Sequence, residues 1–583
     1  MPAALDAMID PLINTIKDDL FVTEARLLAV GVLVAVVFPA LGADWFRRAE
    51  NALNALARRK SMSVLAVAFL SLAIRIAVLP WVPVPVPGVH DEFSYLLQAD
   101  TFLHGRLTNP TPPLWTHFET FHVIFHPTYA SQYLPMQGLI LAIGRLFFGH
   151  PWAGVLLSIS AMCAAICWML LGWLPPGWAL LGGTLAAVRL GTFSYWANSY
   201  WGGAAAAIGG ALVLGALPRI VRRPRTADSL CMGAGMAILA NSRPFEGFML
   251  GLPVVAILIS KLFQKRARLG AVVLKRVALP LAICLGITAA SVSFYNWRVT
   301  GDPLKFPYQV SFSQYWIAPF FLWQPLNPNP PVYRYKAIED LHVSTELLPY
   351  ERAHSVSGFL LACRTKLLIF YAFYLGPLLA LPLIMLPWIL HDRRIRPLLW
   401  IALVMAAGIV GESWFYPHYA APATALVYAL VLQCMRHLRV WTRRRRRVGL
   451  MLVRWVPVVC LVMLLSRLNT QAPRMWTWYG DWSGNVKRAR MVEDLEKLPG
   501  RQLVIVRYGR GHVPEDEWVH NDADIADAKI IWARDQDEAG NEELLKRFSD
   551  RRVWLIESDQ NPVALLPYSN STEIAADANA GAQ

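Results

Sequence analysis

Charge is scarce in this chain. Of its 583 residues only 16% are Asp, Glu, Lys or Arg, while 55% are hydrophobic, and the mean hydropathy is +0.38. Soluble globular proteins rarely carry so apolar a composition, so a polytopic membrane protein is expected. Acids are the scarcer sign, 40 against 55 basic residues, for a formal net charge of +15. That excess does not call for nucleic acid. The basic residues cluster between apolar runs, as RIVRRPR, KLFQKRAR, HDRRIR and WTRRRRRV, which is how cytoplasmic anchors are placed. Cysteine is scarce too. All seven lie in or beside apolar stretches and none in the polar C-terminal region, which excludes a disulfide framework. Cys163 and Cys167 are four apart, but no other metal-ligand types adjoin them, so they read as core. The N-terminus lacks the basic start and cleavage site of a signal peptide. No internal repeat is visible, which counts against a transporter built from inverted repeats.

What the chain has in quantity is apolar runs and interfacial aromatics, 23 Trp and 19 Tyr. About twelve transmembrane helices are expected, near 27–43, 62–81, 152–173, 177–193, 203–218, 229–241, 246–261, 272–294, 368–390, 397–413, 419–435 and 449–466. Several are short for a full crossing. A thirteenth run, 134–148, is read as half-inserted, because counting it as a crossing would put RIVRRPR outside. Residues 46–60 then lie in the cytoplasm. The acids at 91–92, the turn at Arg243, the loop 295–355, the region 412–418 and everything after about 467 lie outside.

The expected organisation is an N-terminal segment 1–60, with an extra transmembrane helix and a cytoplasmic amphipathic helix, and a transmembrane catalytic domain over 61–467. A small extracytoplasmic α/β domain over 468–567 and a disordered tail over 568–583 follow. In the α/β domain, SGNVKRARMVEDLEKLP and NEELLKRF read as helices, and QLVIVRY, AKIIWAR and RRVWLIE as strands.

Chemistry concentrates outside the membrane. In HDEFSYLLQADTFLHGRL, Asp91 and Glu92 precede apolar residues at helical spacing, Tyr95 among them. That suits an interfacial amphipathic helix with acids at its N-terminus. The alternative to capping is a carboxylate general base. In ANSRPFEGFML, Arg243 and Glu246 stand at a tight turn where Pro244 opens a helix, a place for a phosphate or for an ion pair. Lys305, in WRVTGDPLKFPY, is a second candidate phosphate contact. GESWFYPHYAAP offers His418 and Tyr419 beside Glu412, as ligand contacts or as a buried Glu–His pair. Tyr195, Trp196, Tyr200 and Trp201 suit sugar faces or an aromatic belt. His122 and His126 are four apart with Glu119 nearby, a spacing that binds zinc on a helix. Aromatics and Pro127 interrupt it, so no cofactor is assigned, a divalent metal stays the alternative, and His126 is placed as a contact to sugar hydroxyls.

The order of these segments resembles the C-class membrane glycosyltransferases, the superfamily of the protein O-mannosyltransferases and the lipid A aminoarabinose transferases. The resemblance rests on the acid pair after an early helix and on the proline-opened HPTYASQYLPMQGLILAIG. YWANSYWGG, NSRPFEGF, YNWRVTGDPLKFPY and WFYPHYAAP, spread over residues 60–440, extend it. It implies a helical polytopic fold, a polyprenyl-phosphate sugar donor and inversion in one displacement. It further implies Asp91 as base, Glu92 in an orienting or acceptor-binding role, and a glycan, lipid or protein acceptor. A lysine that relatives carry beside the prolines is missing here, where Leu134, Pro135, Met136 and Gln137 stand. The implied location is the bacterial inner membrane, with the site and the α/β domain on the periplasmic side. The rival readings are a transporter or flippase for lipid-linked sugars and a non-catalytic envelope assembly protein. A single outer cavity containing Asp91 would favour the enzyme.

Overall fold

A computed structural model describes residues 19–264, 266–443, 445–470, 477–479, 484–536 and 538–568. The expected disordered tail lies, but for Tyr568, outside the described residues. Among those residues nine helices are long and apolar enough to cross a membrane. The shorter apolar helices Pro135–Phe148, Thr226–Ala240 and Arg396–Gly411 join them, as does Pro176–Arg189. The chain is thus an α-helical polytopic membrane protein with a small C-terminal α/β region.

Pro151–Trp173 is the central helix, packed against Lys60–Ala77, Pro135–Phe148, Pro176–Arg189 and Ala204–Arg222. Its hairpin with Pro135–Phe148 depends on two glycines. A Cβ on Gly154 would lie 2.0 Å from the Ile140 carbonyl oxygen, and one on Gly144 would lie 2.2 Å from the Gly154 nitrogen. Small residues let helix backbones approach this closely in membranes. The outer face of Pro135–Phe148 leaves Leu146, Phe147 and Phe148 exposed, as a lipid-facing helix should.

The first helix runs Asp19–Val37, upstream of the expected 27–43. The added stretch brings Glu24 into the helix, fully buried. Its charge is met within the fold: Arg189 Nη1 lies 3.1 Å from Glu24 Oε1, and Trp478 Nε1 donates to Oε2 at 3.1 Å. Arg189 Nη2 also donates to the Leu375 carbonyl at 2.7 Å, where the helix begun at Val356 is broken by a wide turn and by Gly376 at φ 58°.

The C-terminal sheet has strand order Ile530–Arg534, Arg501–Arg507, Arg551–Glu557, Leu565–Pro567. The first three are parallel and the last antiparallel. Its helices are Val486–Lys497 and Glu538–Arg547. The centre strand is apolar at consecutive positions because both faces are covered. Val504 and Val506 pack with Leu495, Trp518 and Trp532. Leu503 and Ile505 pack with Leu97, Phe118 and Phe125 of the segment 90–133. One face of the domain is therefore completed by the membrane domain.

This docking corrects the expectation for the helix carrying the acid pair. His90–Leu103 is not an interfacial amphipathic helix with a wet face; eleven of its residues are buried. The α/β domain caps it. His520 stacks on Phe93 at 3.8 Å between ring centroids, Ala523 N donates to Asp100 Oδ2 at 3.0 Å, and Arg106 grips Asp524 through two bonds of 2.9 and 2.7 Å.

Candidate functional site

Asp91 and Glu92 open the same helix turn but point into different surroundings. Glu92 is fully buried. Its Oε2 accepts from the Gly88 and Val89 backbone N–H groups at 2.8 and 3.0 Å, and its Oε1 from Tyr200 N at 2.7 Å. It caps its own helix and ties down the 194–203 loop. Burial pushes its carboxyl up to about 7 against those three donors. Glu92 is not among the residues lining the cavity; both its oxygens are held by backbone donors.

Asp91 instead lines a cavity of about 340 Å³, a size typical of small-ligand sites. Tyr133 OH donates to Asp91 Oδ1. Around Oδ2 stand His90 Nδ1 at 3.2 Å and His122 Nε2 at 3.7 Å. Burial penalises the Asp91 charge, but the two histidines and the Tyr133 hydroxyl hold its carboxyl well below the usual carboxylate range. His122 is pulled the other way, to about 3, chiefly by burial. His122 sits at φ 58°, a costly backbone for a non-glycine residue. Its carbonyl is held there by Ser94 Oγ at 2.7 Å, and its Nδ1 lies 2.7 Å from Gln132 Nε2.

The same three residues are the candidate metal ligands. One donor atom each from His90, Asp91 and His122 lies within 4.8 Å of the others. This donor set fits a divalent cation. It is not the set suggested by sequence spacing, because His126 and Glu119 face elsewhere.

Arg243 lines the same cavity and stands just before the helix Pro244–Phe263. It pairs with Glu246 at 3.5 Å and lies 4.3 Å over the Tyr419 ring. Tyr95, Glu246, His418 and Tyr419 also line it. His418 Nδ1 is 2.8 Å from Tyr195 OH, while both Glu412 carboxylate oxygens are buried without a hydrogen-bond partner, so no Glu412–His418 hydrogen bond forms. Of the YWANSYWGG aromatics only Trp201 reaches the cavity; Tyr195, Trp196 and Tyr200 are core. Lys305 and His126 are not among its lining residues; His126 lines a second cavity.

Sequence reasoning missed Tyr133, Trp316, Trp414, Glu346 and Glu515, all of which line the cavity. Glu346 pairs with His342 at 2.6 Å, an i,i+4 spacing visible in LHVSTEL. Burial raises its carboxyl against that pairing. Glu515 comes from the α/β domain, and no local signal could have placed it here.

No protein-family model and no curated protein matches the chain. Among solved structures it is similar to the Archaeoglobus fulgidus oligosaccharyltransferase tethered with an acceptor peptide. The identity is 11% and the TM-score 0.44, over 85% of this chain and 69% of that one. It is also similar to ArnT from Cupriavidus metallidurans bound to undecaprenyl phosphate, at 11% identity and TM-score 0.43, over 85% of this chain and 92% of that one. The A. fulgidus enzyme in complex with zinc and sulfate is matched at 12% identity and TM-score 0.41, over 85% and 67% of the two chains.

Proposed function

We propose that the chain is an inverting membrane glycosyltransferase. It moves a monosaccharide from a polyprenyl-phosphate donor to an acceptor hydroxyl at the extracytoplasmic face. The observation that carries this reading is a buried Asp91 on the wall of an aromatic-rich cavity that Arg243 also lines. A donor phosphate fits the Arg243 guanidinium just before the N-terminus of Pro244–Phe263. Asp91 is the general base of this reading. It acts by accepting a hydrogen bond from the attacking hydroxyl, stabilising the positive charge that grows at the anomeric carbon, and taking the proton late. His122 and Tyr133 fix its orientation. The cavity walls keep water from the anomeric carbon. Glycan, lipid and protein acceptors all supply such a hydroxyl.

The bilayer side follows from the basic loops. With these in the bacterial cytoplasm, the cavity and the α/β domain, which contributes Glu515 to its lining, face the periplasm. The domain boundaries near residues 60 and 467 follow the same reading.

The His90–Asp91–His122 trio supports one variant. A divalent cation held there would supply fixed positive charge, and Asp91 would act as its ligand. Purified protein is incubated with a panel of polyprenyl-phosphate sugars and envelope fractions, and products are identified by mass, with and without a chelator. Transfer that survives chelation supports the carboxylate reading. Activity lost on chelation and restored by a divalent ion assigns Asp91 to the metal. A panel that yields no product sinks the transferase.

A further inference from the structure

The loop carrying Glu119 and His122 has a cavity on each side. His122, Trp316 and Leu341 line the first; Glu119, Tyr315 and Ile338 line a second, of about 270 Å³, together with Trp115, Tyr333 and Arg334. Near-neighbours in sequence thus line both cavities. The second is a built site. Tyr333 OH donates to the Tyr315 carbonyl at 2.7 Å, and Tyr335 OH to the Thr116 carbonyl at 2.7 Å. Arg534 Nε, from the α/β domain, donates to the Glu119 carbonyl at 2.6 Å.

Its centre is incomplete. Glu119 is only 6% exposed. Its Oε1 accepts from Tyr315 OH at 2.9 Å, but Oε2 is buried without a hydrogen-bond partner. Arg334 Nη1 stands 3.7 Å away, beyond hydrogen-bond distance. A buried carboxylate oxygen left unmet is costly, and a ligand that donates to it recovers that cost. Carboxylates only accept and guanidinium groups only donate, whereas a hydroxyl does both and bridges them. A cationic ligand would be opposed by Arg334 and an anionic one by Glu119. Trp115 brings an aromatic ring to the cavity wall, with Arg334 over it at 5.4 Å from the centroid.

From this geometry we infer that the Glu119–Arg334–Trp115 cavity binds a neutral sugar unit of the acceptor, distal to the hydroxyl that reacts at Asp91. The inference rests on the transferase reading for the word acceptor; sugar binding itself does not. The full chain is placed in lipid nanodiscs, free of sugar-headed detergent. It is probed by saturation-transfer NMR with N,N′-diacetylchitobiose, maltose, lactose and cellobiose, beside glucosamine and glucose 6-phosphate as charged controls. At least one neutral disaccharide is expected to bind in preference to both controls. Its affinity should fall tenfold or more in Glu119→Gln and in Trp115→Ala, and stay unchanged in Lys305→Ala, a residue that lines neither cavity. Trp115→Ala decides the matter if Glu119→Gln fails to fold. No neutral sugar bound, preference for a charged one, or affinity untouched by these substitutions overturns the inference. Glu119-dependent binding in a protein that transfers nothing from any polyprenyl-phosphate sugar leaves the sugar site standing and sinks the transferase reading alone.

Discussion

Two clusters of buried charge in this molecule have opposite designs. At Glu24 and Arg189 both side chains are fully buried. Each Glu24 oxygen meets a donor, from Arg189, the Leu378 backbone N–H or Trp478. At Asp91 one oxygen is taken by Tyr133, while the other has only His90 and His122 at 3.2 and 3.7 Å, on the wall of a cavity. Closing a charge inside a membrane protein fastens elements together. Leaving one partly open, at the same desolvation cost, makes sense only where a ligand completes it. Adjacent residues repeat the contrast: Glu92 is closed by three backbone donors and Asp91 is not.

The comparison breaks first at the closed cluster. Arg189→Ala leaves Glu24 buried alone, which typically costs about 3–5 kcal/mol. The protein should unfold at markedly lower temperature or fail to be recovered folded from detergent. An unchanged Tm would remove the cluster's structural role. Next comes the cation of the open site. Arg243→Ala should weaken donor binding by roughly one to two decades, the worth of about 1.5–3 kcal/mol for a charged hydrogen bond, with a smaller effect on Tm. Unchanged donor affinity, measured directly, places the phosphate elsewhere. Lys305, outside the cavity lining, should not share the effect.

The smallest effect expected concerns pH and the docked domain. Burial first, and then nearby cations, hold His520 well below its ordinary value. Its folded value is depressed, so its contribution to stability is complete above about pH 6.5 and is lost progressively as pH falls below that. Tm should decline on acidification from pH 7.5 to 5. His520→Phe, which keeps the stack on Phe93 without a titrating ring, should decline less. Identical profiles would show that this histidine does not tie docking to pH.

Much of the fold was legible because it is written locally. Apolar runs gave the helices, and the strand RRVWLIE appears at the residues expected, Arg551–Glu557. The helix start at Asp19 was not legible, since Glu24 looks prohibitive until Arg189, far along the chain, is placed beside it. At the site, Asp91, Arg243, Glu246, His418, Tyr419 and Tyr95 were named from sequence and share one cavity. The separation of Asp91 from Glu92 was invisible, because it depends on backbone N–H groups of Gly88, Val89 and Tyr200. Glu515 was invisible because it arrives with a domain. A signal for that docking did exist. The strand QLVIVRY is apolar at consecutive positions, so it needed a cover on both faces, and the domain's own two helices are short.

The central claim is that Asp91 is open in order to work on a substrate while Glu92 is closed in order to hold the fold. The direct measurement is turnover per folded molecule of Asp91→Asn and Glu92→Gln, each beside its Tm and donor affinity. Asp91→Asn keeps shape and caps a helix as well as aspartate does. It should lower turnover by a factor of roughly 10² to 10⁴ with Tm and donor affinity near wild type. Glu92→Gln should lower Tm and leave the turnover of the folded fraction within a few-fold. Near-normal turnover in Asp91→Asn, or loss of turnover in a fully stable Glu92→Gln, would contradict the account.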